Sequence, residues 1–260
     1  MSVEASAALA IAQRDFTKLF RDRARLLTDV LVPVIVFGVL GGMLNFAFGR
    51  AIGYDFLIFV LTGVFAQSLW QSTALGMVFL LEDRENDFSQ EIFVSPVSRY
   101  TIVLGKILGE SLVALPQGIA ALLFLLALGL RPSLEQILAL VGAAAVICLF
   151  GGLFGLFVLG FIPSRRAAQQ IFGFLILPQY FLAGVFNPVQ GLPAWLDAIA
   201  HLAPLRYAVD LARNVFYAGR PEAGETVLNS VAVDLAAIAL FIAVFLPVGT
   251  FLFVRAERNR

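Results

Sequence analysis

Charge is what this 260-residue chain has least of: 14% of its residues are Asp, Glu, Lys or Arg, against 60% hydrophobic ones. A soluble domain carries roughly a quarter charged residues, so a water-soluble monomer is excluded. The mean hydropathy of +0.91 says the same. Cysteine and histidine occur once each, as Cys148 and His201. A lone cysteine excludes an internal disulfide, and its apolar setting, AAAVICLFGG, suits a small buried hydrophobe. One histidine and one cysteine cannot furnish a tetrahedral zinc site. No GxxxxGK[ST] loop is present: Gly105-Lys106 lacks both the upstream glycine and the following hydroxyl that cradle phosphates. The chain therefore has no ATPase site of its own. HExxH and GxSxG are missing too, which removes the usual protease chemistries. The net charge is zero and the pI about 6.6, so nothing directs the chain to nucleic acid. Its first thirty residues are charged and lack the short apolar core of a cleavable signal peptide.

Long apolar runs are what is there. A hydrocarbon core of about 30 Å takes about 20 apolar residues in a helix, and six runs of that order stand between charged clusters: 30–48, 56–81, 102–130, 134–162, 167–186 and 231–254. Thirteen of the eighteen Lys and Arg residues fall on one side of such an arrangement and five on the other. Positive charge is retained in the cytoplasm, so both termini are expected inside.

Two segments are amphipathic rather than spanning. In residues 1–28, Arg14, Lys18, Arg21 and Arg25 share a narrow helical arc, opposite Leu9, Phe16, Leu19, Phe20 and Leu27. The pattern predicts a helix in the membrane surface, its basic stripe meeting headgroups or a cytoplasmic partner, or simply anchoring the first span. Residues 188–217 are punctuated by Pro188, Pro193 and Pro204, the last two placed to open short helices. Too few residues separate them for a span, so an outer re-entrant hairpin is expected, with Trp195 and Tyr207 suited to an interfacial belt. His201 reads as an interfacial polar residue, with Asp197 one turn earlier as its only nearby carboxylate partner.

The loop of residues 82–100 is dense in charge. Glu82, Asp83, Glu85, Asp87 and Glu91 crowd one stretch, and Phe88, Ile92 and Phe93 make a small apolar face that ends before Pro96. An acidic helix with an aromatic knob fits a socket on another protein; a solvated loop kept out of lipid by its charges fits equally. Lys106 and Glu110 are spaced to pair on a helix. Within the spans, polar residues are costly enough to need partners or a pathway. Gln67, Ser68, Gln71 and Ser72 form the densest patch, joined by Gln117, Gln169, Gln170, Gln179 and Tyr180. Helix-to-helix hydrogen bonding is the other use of such residues, and Gly49/Gly53, Gly105/Gly109 and Gly151/Gly155 match close-packing spacing. No span carries an acid at its centre, which disfavours an ion-coupled carrier.

VSPVSR (94–99), Gly105-Lys106 and LPAWLDAIAHLAPLRYAVDLAR (192–213) together resemble the permease subunit of type-2 ATP-binding-cassette exporters, the class of drug and polysaccharide exporters. The resemblance runs the whole chain. It implies an all-α membrane domain of six transmembrane helices, with an amphipathic start, a cytoplasmic coupling helix and an outer re-entrant hairpin. It also implies a permease dimer in a bacterial or archaeal cytoplasmic membrane, working with two ATPase subunits that hold ATP and Mg while this chain binds no cofactor. The coupling element would comprise Glu82, Arg84, Glu85, Asp87, Phe88, Glu91, Ser95, Pro96 and Arg99, with Arg14, Lys18, Arg21 and Arg25 as a second contact. Pro193, Trp195, Pro204, Tyr207 and Arg213 would belong to the outer lid. An amphipathic or hydrophobic cargo is expected to move outward past the amide-rich patch. A stand-alone carrier or flippase would show inverted repeats and mid-depth ionisable residues, which are not seen; a non-transporting scaffold is the remaining alternative.

Overall fold

The structure, a computed structural model, describes residues 3–21, 23–48, 54–81, 98–162 and 164–258. Among them there are helices and turns but no strand. In chain order the helices are α1 (Val3–Arg21), α2 (Arg23–Phe48), α3 (Phe56–Gly76), α4 (Arg99–Ala127), α5 (Leu134–Leu159), α6 (Arg165–Leu182), α7 (Ala194–His201), α8 (Pro204–Phe216), α9 (Ala223–Thr226) and α10 (Val231–Arg258). Four stretches are long and apolar enough to cross a membrane: Phe56–Leu81, Tyr100–Ala127, Leu134–Leu159 and Ala223–Phe253. The expected coupling residues Glu82, Arg84, Glu85, Asp87, Phe88, Glu91, Ser95 and Pro96 lie outside the described residues, as does the Gly49/Gly53 pair. Arg25 and Arg99 belong to helical backbone, with their side chains outside the described part.

Local chemistry sets the helix starts. Asp55, Ser98, Ser133 and Ser164 are N-caps whose side chains accept first-turn backbone N–H groups, and Ser133 with Gln136 completes a reciprocal capping box. Pro193 and Pro204 open α7 and α8, Pro204 as a first helical residue whose missing N–H costs nothing there. The fifth apolar run ends sooner than its composition suggests: α6 stops at Leu182, and Gly184 turns the chain at φ +74°.

Helix α3 lies at the centre, packed against α2, α4, α5, α6 and α8, with Trp70 wholly buried. Its closest approach is to α5. A Cβ on Gly151 would stand 2.3 Å from the Trp70 carbonyl oxygen, and one on Gly155 would stand 2.4 Å from that of Ala74. Only glycine permits backbones this near. Behind them Phe150, Phe154 and Phe157 of α5 interlock with Phe241 and Phe245 of α10.

The amphipathic α1 has a protein partner. Glu4 accepts from Thr101 Oγ1 at 3.1 Å, Ala8 faces Gly105, and Ala12 faces Gly109. Each pair is 97 residues apart, so α1 runs parallel to α4 and in step with it. The stripe turned to α4 is Glu4, Ala8, Ala12 and Asp15, with Leu19 buried, while Leu9 and Leu27 remain exposed. Periodicity of large apolar residues does not reveal this contact, because small residues make it.

Candidate functional site

A cavity of about 900 Å³ lies between α2, α3, α4 and α6. Its floor is α3, which presents Gln67, Ser68, Gln71, Ser72, Leu75 and Gly76, followed by Val78 and Phe79. Helix α2 adds Thr28 and Val32, α4 adds Gln117, and α6 adds Arg165, Gln169, Gly173, Ile176, Leu177 and Tyr180. Seven of the nine polar residues singled out within the spans thus meet around one space. Gln179 does not line it: its Nε2 donates to Leu175 O at 3.3 Å and its Oε1 accepts from Leu205 N at 3.3 Å. It therefore caps the start of α8, supplying the partner that the Ala203 N-cap cannot. Gln170 is exposed and outside the lining.

The lining residues bridge helices while keeping capacity for a solute. Gln67 Nε2 donates to Tyr180 Oη at 3.0 Å and to Gln71 Oε1, and Tyr180 Oη donates to Gln71 Oε1. Gln117 Nε2 donates to Ser72 Oγ at 3.2 Å. Ser68 Oγ is turned to its own helix, donating to Phe65 O. Gln67 Oε1 is buried and receives no hydrogen bond, an acceptor at the cavity wall that a hydroxyl or N–H of a bound molecule would satisfy. Among the described lining residues the one charge is Arg165, and none is a carboxylate. Amides that donate and accept, beside aliphatic walls, suit a molecule with a polar head and an apolar body.

At the end where α3 meets the acidic loop, Lys106 Nζ lies 2.8 Å from Asp15 Oδ2 and 2.9 Å from Glu110 Oε1, all three side chains being 3% exposed. Its ammonium also sits 5.5 Å from the centre of the Phe79 ring. Glu110 packs against Gly76, whose absent Cβ makes room for its carboxyl. Thus α1, α4 and the exit of α3 share one ion cluster. The sequence spacing gives the Lys106–Glu110 pair but not Asp15, which stands among basic residues and reads as part of a charged face. Arg14 donates to Asp15 at 3.0 Å, whereas Lys18 and Arg21 are exposed.

On the segment of residues 188–217, Arg213 is wholly buried, stacked 3.6 Å over the Phe59 ring, and donates to Phe59 O at 3.2 Å and Gly184 O at 2.8 Å. Burial brings its pKa down to about 10, still a cation at neutral pH. Asp210 accepts from Leu228 N and Asn229 N at 2.8 and 2.7 Å, and Asp234 accepts from Asn214 and Asn229, so carboxylates fasten α8 to the start of α10. Trp195 is 67% exposed, as a belt residue would be. Tyr207 differs from that expectation: it is buried, and its hydroxyl donates to His201 O at 3.0 Å. His201 Nδ1 contacts Asp197 O at 2.8 Å, while the Asp197 carboxylate accepts from Arg206 at 3.2 Å.

A model of the ABC-2 type transporter family matches residues 6–217. The probable multidrug ABC transporter permease YbhR of Escherichia coli K12 is 26% identical over 142 residues, which are 52% of this chain and 36% of that protein, so the match spans little more than a third of it. The daunorubicin resistance ABC transporter permease protein DrrB1 of Streptomyces coeruleorubidus is 26% identical over 241 residues, 90% of this chain and 80% of that protein. The putative transport permease ycf38 of Porphyra purpurea is 25% identical over 221 residues, 80% and 72% of the two chains. With four helices of spanning length and a family match over most of its residues, this chain is a multi-pass membrane protein and belongs to the ABC-2 type transporter family.

Proposed function

We propose that the chain is the permease subunit of an ATP-driven exporter, and that an amphipathic or hydrophobic solute passes through the cavity between α2, α3, α4 and α6. The observation that carries this reading is the convergence of polar residues from three helices, costly in a membrane, on one space of about 900 Å³. The names of YbhR and DrrB1, a probable multidrug and a daunorubicin resistance permease, agree with a drug-like cargo. In this reading α2 and α6 complete six spans with α3, α4, α5 and α10, both termini lie in the cytoplasm, and two copies assemble with two ATPase subunits. Those subunits hold ATP and Mg.

The loop of residues 82–100 is the proposed seat for the ATPase, and the described residues at its two ends support that role. On one side Phe79 meets Lys106; on the other Ser98 caps α4 and bonds Thr101, which in turn bonds Glu4. A displacement of the segment is therefore delivered to α1, α3 and α4 together, as a stiff lever requires. The exposed Lys18 and Arg21 offer a second contact.

The test is co-purification of the detergent-solubilised chain with its ATPase, comparing the native sequence with a variant carrying alanine at Glu85, Asp87, Phe88 and Glu91. Loss of association and of cargo-stimulated ATP hydrolysis, with the variant still monodisperse, is expected. Full retention of both would overturn the coupling role.

A further inference from the structure

We infer that the last turn of α6 is a gate on the outer side of the cavity and that Tyr180 is its latch, an inference that rests on reading the cavity as a transport route. Three observations converge on this turn. It is bounded by two pliable points: Pro178 inside the helix, which has no N–H to give to the carbonyl one turn back, and Gly184, which holds φ at +74°. Pro178 leaves the helix one hydrogen bond short, so it can bend there and carry residues 179–182 with it. Its cavity side is tied to α3 by side chains alone, through Tyr180 with Gln67 and Gln71. Its far side is tied to α8, through Gln179 with Leu205 N and through Arg213 with Gly184 O.

The two sets of ties differ in kind. Those to α8 engage backbone groups at the two ends of the turn, Leu205 N with Gln179 and Gly184 O with Arg213, and Arg213 also holds Phe59 O of α3, so they fix the pivots about which the turn swings. Those to α3 are exchangeable: each amide and the phenol can bond a solute or water instead of one another. A solute that offers a donor to Gln67 Oε1, which has none, and acceptors to the amide N–H groups competes directly with the latch. Phe186, edge-on to the Tyr180 ring with centroids 5.8 Å apart, lies beyond the Gly184 hinge, where the Val185 backbone packs on Gly63 of α3, and so stays in place as the turn moves. Cargo arrival and gate release are thus one exchange of hydrogen bonds.

The test needs neither cargo nor ATPase. In a Cys148→Ala background, Leu75→Cys places a single thiol in the cavity wall one turn from Gln71. A membrane-impermeant maleimide is added separately to each face of sealed vesicles of defined orientation. With the latch intact, the thiol is expected to label from the face that carries α1 and hardly at all from the face that carries α8. Tyr180→Phe, and independently Gln71→Leu, should raise labelling from the α8 face about tenfold, since losing a buried hydrogen bond shifts a two-state equilibrium by about that factor. Gln170→Ala, on the same helix but outside the cavity, should leave the rate unchanged. Labelling from the α1 face with no rise in either latch variant would overturn the gate and leave the transport reading standing. No labelling from either face in any variant would overturn both, because no aqueous route would exist.

Discussion

Lys106 and Asp15, 91 residues apart in sequence, meet at 2.8 Å in an ion pair whose side chains are each 3% exposed. Such a pair is worth little as a source of net stability but much as a constraint, since removing one partner strands the other's charge. Lys106→Met removes the cation shared by two buried carboxylates, Glu110 and Asp15, of which Asp15 keeps Arg14 at 3.0 Å, and is expected to cost about 3–5 kcal/mol. Asp15→Asn keeps Lys106 paired with Glu110 and should cost distinctly less. Thermal unfolding of the purified variants in one detergent checks the order; equal losses would mean that the cluster is not centred on the lysine.

The glycines of α5 divide by what surrounds them. A Cβ on Gly151 would fall 2.3 Å from Trp70 O and 2.4 Å from Thr73 Oγ1, whereas one on Gly142 would meet nothing within 4 Å. Gly151→Ala must push α3 and α5 apart, an overpacking cost of about 1–3 kcal/mol. Gly142→Ala gains helix propensity, by about 0.5–1 kcal/mol in a soluble host, and should be neutral or stabilising. The two melting temperatures should move in opposite directions, or only the first should fall.

How far the site was legible follows from the physics of each residue. Gln67, Gln71, Gln117 and Tyr180 were visible because an amide or phenol in an apolar run has to be accounted for, and all four line the cavity. Gln179 stands out on the same ground yet faces α8: neighbours in a helix point 100° apart, and composition does not say which of the two looks inward. The Gly151/Gly155 spacing was legible as a packing signal. The matching Gly105/Gly109 notch was legible too, but its occupant was not, since Ala8 and Ala12 carry no amphipathic signature. The early stop of α6 was hidden because Ala183–Phe186 is as apolar as the helix before it; the Gly184 turn ends it.

The charge of the cavity lining should govern which solutes the chain accepts. With Arg165 and no carboxylate among the described lining residues, cationic solutes find no counter-charge. Gln117→Glu supplies one while nearly conserving shape. A single opposite charge in a partly desolvated site is expected to raise export of a cationic dye relative to a neutral one of similar size by about tenfold. Vesicle efflux of the two dyes measures the ratio, and an unchanged ratio would place the solute's charged group away from α4.

Arg213 presents a balance of opposed terms. Removing its charge relieves a desolvation penalty, but it also removes the donor to Gly184 O at 2.8 Å and to Phe59 O at 3.2 Å. Phe59 O keeps another donor, the Thr62 hydroxyl at 2.9 Å, so the loss concentrates at the buried turn around Gly184. Leaving that carbonyl without its guanidinium costs about 1–3 kcal/mol, and Arg213→Met should lose about that much stability. Arg213→Lys keeps a cation but not the planar fork that stacks on Phe59 while reaching two carbonyls. Lysine should therefore restore only part of the loss. The decisive comparison is with the maleimide assay: if Gly184 is the outer hinge of the gate, Arg213→Met also raises labelling of Leu75→Cys from the α8 face. A variant that unfolds more easily yet labels like its parent would show that Arg213 holds the fold without holding the gate.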